Sequence, residues 1–87
     1  MMQPHEVILY PTMTERSVYM IENENKLVFI VDSRATKEDI SKAVNALYNV
    51  EVERVNTLIT RKNNKKAFVK LKDSYDASDL AIRLGIL

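Results

Sequence analysis

The stretch Lys26-Leu27-Val28-Phe29-Ile30-Val31-Asp32 sets five consecutive apolar side chains between two charged ends. Most of the five are β-branched or aromatic, and the run is too short for a buried helix, so it reads as a strand. Successive side chains of a strand point to opposite faces, so this strand is apolar above and below and must be covered on both. A fold containing it needs a sheet in which this strand is internal.

The residues that follow supply the rest of that sheet. Thr36 and Asp39 have capping-box spacing, and Ile40, Ala43, Val44 and Leu47 then recur at i, i+3, i+4 and i+7, one stripe of a helix. Val50 to Thr60 alternates at first, with Val50 and Val52 opposite Glu51 and Glu53, then changes phase so that Val55, Thr57 and Ile59 share a face. A β-bulge near Glu53–Arg54 accounts for the slip. Asn63-Asn64 suits a hairpin tip. The chain returns over Lys66–Lys72 with Ala67, Val69 and Leu71 on one face and Lys66, Phe68, Lys70 and Lys72 on the other. A last helix runs from about Asp76, striped by Ala77, Leu80, Ala81 and Leu84 and stopped by Gly85.

Upstream, Glu6–Leu9 reads as a short strand. Thr12 and Glu15, after Pro11, have the spacing of another capping box and predict a helix to about Met20–Glu22, with a turn at Asn23-Glu24-Asn25. The crossover from Lys26–Asp32 through the helix to Val50–Thr60 predicts two parallel strands. The returning strand slots between them, and the N-terminal strand lies on the outer edge. The fold class is therefore α+β: a four-stranded mixed or antiparallel sheet with packed helices, a split β-α-β arrangement related to the ferredoxin-like topology. Residues 1–87 form a single domain, with no repeat and no linker.

Composition excludes several kinds of chemistry. There is no cysteine, one histidine (His5) and one glycine (Gly85). A catalytic triad, a His- or Cys-based metal centre and a glycine-rich phosphate loop all lack parts. The acidic pairs Glu51/Glu53 and Glu38/Asp39 fall where strand edges and helix caps place solvated carboxylates. The sequence thus predicts no catalytic residues, no metal, no cofactor and no small-molecule substrate. No apolar run approaches the ~18 residues that cross a bilayer, and Met1–Tyr10 lacks a secretory pattern, so the expected location is the cytoplasm without membrane insertion.

The net charge of +1 hides a strong asymmetry. From Arg54 to Lys72 there are seven basic residues (Arg54, Arg61, Lys62, Lys65, Lys66, Lys70 and Lys72) and no acid, while the remainder carries six basic residues against twelve acids. Lysines on an edge strand also guard against aggregation, but solubility is usually served by mixed charge. An unmixed basic hairpin predicts contact with a nucleic-acid backbone, with Asn56 and Thr57 either touching ribose or bases or satisfying backbone groups at the bulge. An RNA-recognition motif is the nearest competitor, since Val28-Phe29-Ile30 and Ala67-Phe68-Val69-Lys70-Leu71 partly echo its strand signatures. Lys65-Lys66 stand where that motif needs a glycine and a first stacking aromatic.

Several stretches together resemble the universal large-subunit ribosomal protein twenty-three family, in its archaeal form. They are Tyr10-Pro11-Thr12-Met13-Thr14-Glu15-Arg16, Asn25-Lys26-Leu27-Val28-Phe29, Arg34-Ala35-Thr36-Lys37, Val50-Glu51-Val52, Val55-Asn56-Thr57-Leu58 and Lys65-Lys66-Ala67-Phe68-Val69-Lys70-Leu71. The short loop Arg61–Lys66 replaces the long basic extension of bacterial members. The resemblance implies a ribosomal RNA-binding domain of the large subunit at the rim of the polypeptide exit tunnel. The implied partners are large-subunit ribosomal RNA, large-subunit ribosomal protein twenty-nine, and the signal recognition particle or other nascent-chain factors. It marks Lys26, Arg34, Lys37, Arg54, Asn56, Thr57, Lys65, Lys66 and Lys70 as RNA contacts, beside Arg61 and Lys62 from the charge map, and Glu15 as the position facing such factors. A free-standing RNA-binding module outside the ribosome is the alternative.

Overall fold

The computed structural model describes residues 2–60 and 64–87. In chain order the elements are α1 (Pro4–Val7), β1 (Ile8–Pro11), α2 (Glu15–Glu24), β2 (Lys26–Val31), α3 (Lys37–Tyr48), β3 (Val52–Ile59), β4 (Lys65–Leu71) and α4 (Ala77–Arg83). The strands form one sheet in the order β1-β2-β4-β3, and each neighbouring pair is antiparallel. β2 and β3 both oppose β4 and so run parallel to each other on either side of it. This is the split β-α-β arrangement that the sequence predicts, with β1 on the outer edge.

One face of the sheet carries the core. Leu27, Phe29 and Val31 of β2, Ala67, Val69 and Leu71 of β4, and Val55 of β3 pack with Val7, Ile21, Ile40, Ala43, Val44, Leu80 and Ala81 from the four helices. The alternation of β4 decides this assignment, since its odd-numbered positions from Ala67 onward are fully buried. The Tyr48 ring lies parallel to that of Phe29, with centroids 5.9 Å apart. Burying a side chain such as Phe29 contributes about 1.5–3 kcal/mol.

The two threonine caps differ. Thr36 caps α3 as expected: its hydroxyl accepts from Asp39 N–H at 3.1 Å, and the Asp39 carboxylate accepts from Thr36 N–H at 3.0 Å. That hydrogen bond holds the Asp39 carboxyl below its ordinary pKa. The α2 cap is Thr14 rather than Thr12. Thr14 Oγ1 accepts from Ser17 N–H at 3.1 Å, and Ser17 Oγ accepts from Thr14 N–H at 2.7 Å. Thr12 is engaged elsewhere, because its N–H donates to Val28 O at 2.9 Å and extends the β1–β2 ladder. Asn23 and Glu24 stay helical, and only Asn25 takes the left-handed conformation, at φ 55°.

Two further differences have local causes. The expected strand at Glu6–Leu9 begins only at Ile8, because Pro4 starts a helical turn and the Glu6 carboxylate reaches back to Gln3 N–H at 2.8 Å. Leu47, expected in the stripe of α3, is 42% exposed; the neighbouring Tyr48 takes the inward direction. The predicted bulge is present: the β3–β4 register shifts between Val52 and Arg54, leaving Glu53 as the extra residue. The predicted tip residue Asn63 lies outside the described residues.

Asn25 ties the start of β2 to the loop before α4. Its Nδ2 donates to the carbonyls of Leu71 at 3.3 Å and Tyr75 at 2.9 Å, and its Oδ1 accepts from Ala77 N–H at 2.7 Å. Asn tolerates positive φ better than most residues and supplies both a donor and an acceptor, so one side chain fills both needs.

Candidate nucleic-acid interface

The second face of the sheet is built from the alternate residues of the same strands. The pairing register places Lys26, Lys70 and Arg54 in one row across β2, β4 and β3. Val28, Phe68 and Asn56 form the next row. Tyr10, Ile30, Lys66 and Leu58 form the third. Directly paired residues share a face, so these side chains project together. Val28 and Ile30 are buried, which gives β2 the cover on both faces that its sequence demands. Among the described residues, however, no full helical layer lies over the rows. Asn56, Leu58, Tyr10 and Arg54 are exposed, and Lys66, Phe68 and Lys70 are half-buried.

α2 borders this open face at its first turn. Ile21 points into the core, whereas Ser17 and Met20 line a cleft with Val28, Leu58, Lys66 and Phe68. Arg16 stands at the rim of that cleft. The sequence pattern does not mark Arg16 as a site residue. Nothing around it sets it beside Lys66, which is 50 positions away; that proximity comes from the fold.

Of the predicted contact residues, Lys26, Arg54, Asn56, Lys66 and Lys70 therefore converge on one surface. Thr57 and Lys65 do not. They alternate onto the core face, where Thr57 pairs with Ala67 and the Lys65 ammonium donates to Ala35 O at 2.8 Å. Lys65 thus holds the turn between β2 and α3. Arg34 sits in that turn, exposed, and its guanidinium donates two hydrogen bonds to the Asp32 carboxylate at 3.0 and 3.2 Å. The guanidinium keeps the Asp32 carboxyl below the usual carboxylate range, and the pairing pushes Arg34 up. Lys37 is the first residue of α3 and is exposed. Arg61 and Lys62 lie outside the described residues. Glu15 is exposed at the first position of α2; among the described residues its carboxylate has no hydrogen bond or ion pair, because Thr14 and Ser17 make the cap between themselves.

The acid-free run in the sequence is not acid-free in space. Lys70 lies 3.7 Å from Glu53, Lys72 lies 3.1 Å from Glu51 and Lys26 lies 3.1 Å from Glu24. The Lys72 ammonium and the Tyr75 hydroxyl both donate to Glu51, lowering its carboxyl, and the same contact raises the Tyr75 phenol. Pairs at the surface are worth about 0–1 kcal/mol, so a phosphate can compete with the carboxylate for the ammonium. Arg16, Arg54 and Lys66 have no ion pair among the described residues.

The description "Ribosomal protein L23" belongs to the family model that matches residues 6–78, most of the chain. The chain is also 52% identical over 85 residues to the large ribosomal subunit protein uL23 of Methanococcus aeolicus, and 51% identical to that of Methanococcus vannielii. Each match covers 98% of this chain and 99% of the relative. The chain belongs to the ribosomal protein L23 family. Members of the L23 family are structural proteins of the ribosome without enzymatic activity. The archaeal resemblance read from the motifs agrees with both relatives of this L23-family chain. Among the described residues no group of His, Cys, Asp or Glu has the arrangement of a metal site, and no helix is long and apolar enough to cross a membrane.

Proposed function

We propose that the chain is a cytoplasmic structural component of the large ribosomal subunit that binds large-subunit ribosomal RNA through the open face of its sheet. The observation that carries this reading is the set of cations ordered by strand register on an uncovered face: Lys26, Lys70 and Arg54 in one row, with Lys66 two rows away and Arg16 beside it. Lysine and arginine held at fixed spacing on a rigid sheet meet successive phosphates with little loss of side-chain freedom, and each contact releases condensed counterions. Asn56 and Phe68 lie between the basic rows, where ribose and bases would fall. Arg34 and Lys37 form a second basic group beside the loop end of the β3–β4 hairpin, where Lys65 bonds Ala35 O.

The family resemblance carries the reading further, to a place at the rim of the polypeptide exit tunnel beside large-subunit ribosomal protein twenty-nine. There Glu15, exposed and not needed as a cap, faces the signal recognition particle or other nascent-chain factors. Most of the acids lie on the helices and their caps, with Glu24 and Glu53 the two that reach lysines of the open face, which suits a docking side distinct from the RNA side.

The test is the salt dependence of binding to a large-subunit ribosomal RNA fragment. Removing one cation–phosphate pair lowers the slope of log affinity against log salt by about 0.7–0.9. The double variant Arg54→Gln, Lys66→Gln lowers it by about twice that amount, while Lys42→Gln on α3 leaves it unchanged. Equal slopes for parent, double variant and Lys42→Gln would eliminate the open face as the RNA-binding surface.

A further inference from the structure

The cleft between the first turn of α2 and the open face is more specific than the cation rows around it. Its volume is about 230 Å³. Drug-sized ligands usually occupy roughly 300 Å³ or more, so this cleft suits one small planar group. Its floor is apolar and contains the Phe68 ring, half-buried between Val28 and Asn56 in register. Its rim carries Arg16 from one side and Lys66 from the other, and among the described residues no acid lines it. Phe68 is the aromatic at the centre of the open face; the core face buries its own, Phe29, against Tyr48.

We infer that this cleft seats a single unstacked nucleoside of the bound RNA, its base against Phe68 and its phosphate between Arg16 and Lys66. The inference rests on the RNA-binding reading above and deepens it, from backbone neutralisation to capture of one extruded base. An aromatic floor with a cationic rim is the combination that takes flipped bases, because every base offers a π face and every nucleotide a phosphate. A duplex cannot present this group, since its bases are stacked inside. The seat therefore selects bulges and loops over paired stems, with little preference among the four bases. Leu58, exposed beside Lys66 on the outer strand, closes the side of the cleft away from α2.

The test uses the full chain and two RNA hairpins of the same stem, one with a single unpaired 2-aminopurine and one with that base paired. Affinity is read by anisotropy, and the environment of the base by 2-aminopurine emission. The bulged hairpin is expected to bind about five- to a hundred-fold more tightly, the range that base–aromatic stacking supplies, with a changed emission on binding. Phe68→Leu, which keeps an apolar floor without a ring, loses most of that preference. The comparison of the two hairpins on the unaltered chain stands even if the variant does not fold. Equal affinity for both hairpins with unchanged emission overturns the seat and leaves the RNA-binding reading intact, as does a Phe68→Leu protein that keeps the full preference. Binding of neither hairpin at low salt overturns both.

Discussion

The two faces of this sheet are made by alternate residues of the same strands, yet they obey different rules. On the core face every position on β4 from Ala67 to Leu71 is sealed, and the neighbouring residues are chosen for volume: Phe29 against Tyr48, Leu27 and Val69 side by side. On the open face the same strands carry Lys26, Lys66, Lys70 and Arg54 among the apolar residues Val28, Ile30, Leu58 and Phe68. The first face holds the fold together with no partner. The second leaves Arg54, Asn56 and Leu58 exposed. A chain of 87 residues has a thin stability margin, so a surface of this kind is tolerable only if its cost is small or a partner offsets it through mass action.

That contrast can be broken from either side. Phe29→Ala, on the sealed face, should lose about 3–5 kcal/mol of folding free energy, read from urea denaturation, because a large buried ring leaves a cavity that the packed helices cannot fill. Asn25→Ala comes next in size. It removes the bonds to Leu71, Tyr75 and Ala77 and leaves a residue less suited to φ 55° at the junction of α2 and β2, so a loss of about 2–3 kcal/mol is expected. Asn25→Gly, which keeps the backbone freedom, should recover the smaller part of that loss; full recovery would mean that the hydrogen bonds add nothing. The Arg54→Gln, Lys66→Gln variant has the smallest effect. It should stay within about 0.5 kcal/mol of the parent in the same measurement, since neither side chain has an ion pair among the described residues to give up. Were it destabilised as much as Phe29→Ala, the open face would be structural rather than a binding surface.

The core face is legible in the sequence because burial follows a period that can be counted. The two-residue alternation of β4, the both-faced run of β2 and the first three members of the α3 stripe, Ile40, Ala43 and Val44, each predict their own packing, and the slip in β3 locates its bulge. What the pattern does not reveal is which of two chemically similar residues does a job. The spacing of Thr12 and Glu15 points to Thr12 as the cap, but Thr14 takes that place because the β1–β2 ladder claims the backbone of Thr12. Lys65 and Lys66 are adjacent and identical, yet alternation sends one to a carbonyl on the core side and the other to the open face. The pairing of Lys70 with Glu53 follows from the bulge, which turns a residue outside the basic run back onto it. Arg16 escapes a reading of local patterns because Lys66, its neighbour on the cleft, is distant in the chain.

The open face as the RNA-facing side is tested most directly by lysine acetylation of the protein alone and within assembled large subunits, read by mass spectrometry. Lys42, exposed on α3 and paired only with Glu38 one turn away, serves as the internal standard. Lys66 and Lys70 should react in the isolated chain and become protected in the particle, while Lys42 changes far less. If Lys66 and Lys70 react as readily in the particle as they do free, the sheet face is turned toward solvent and the RNA is held elsewhere.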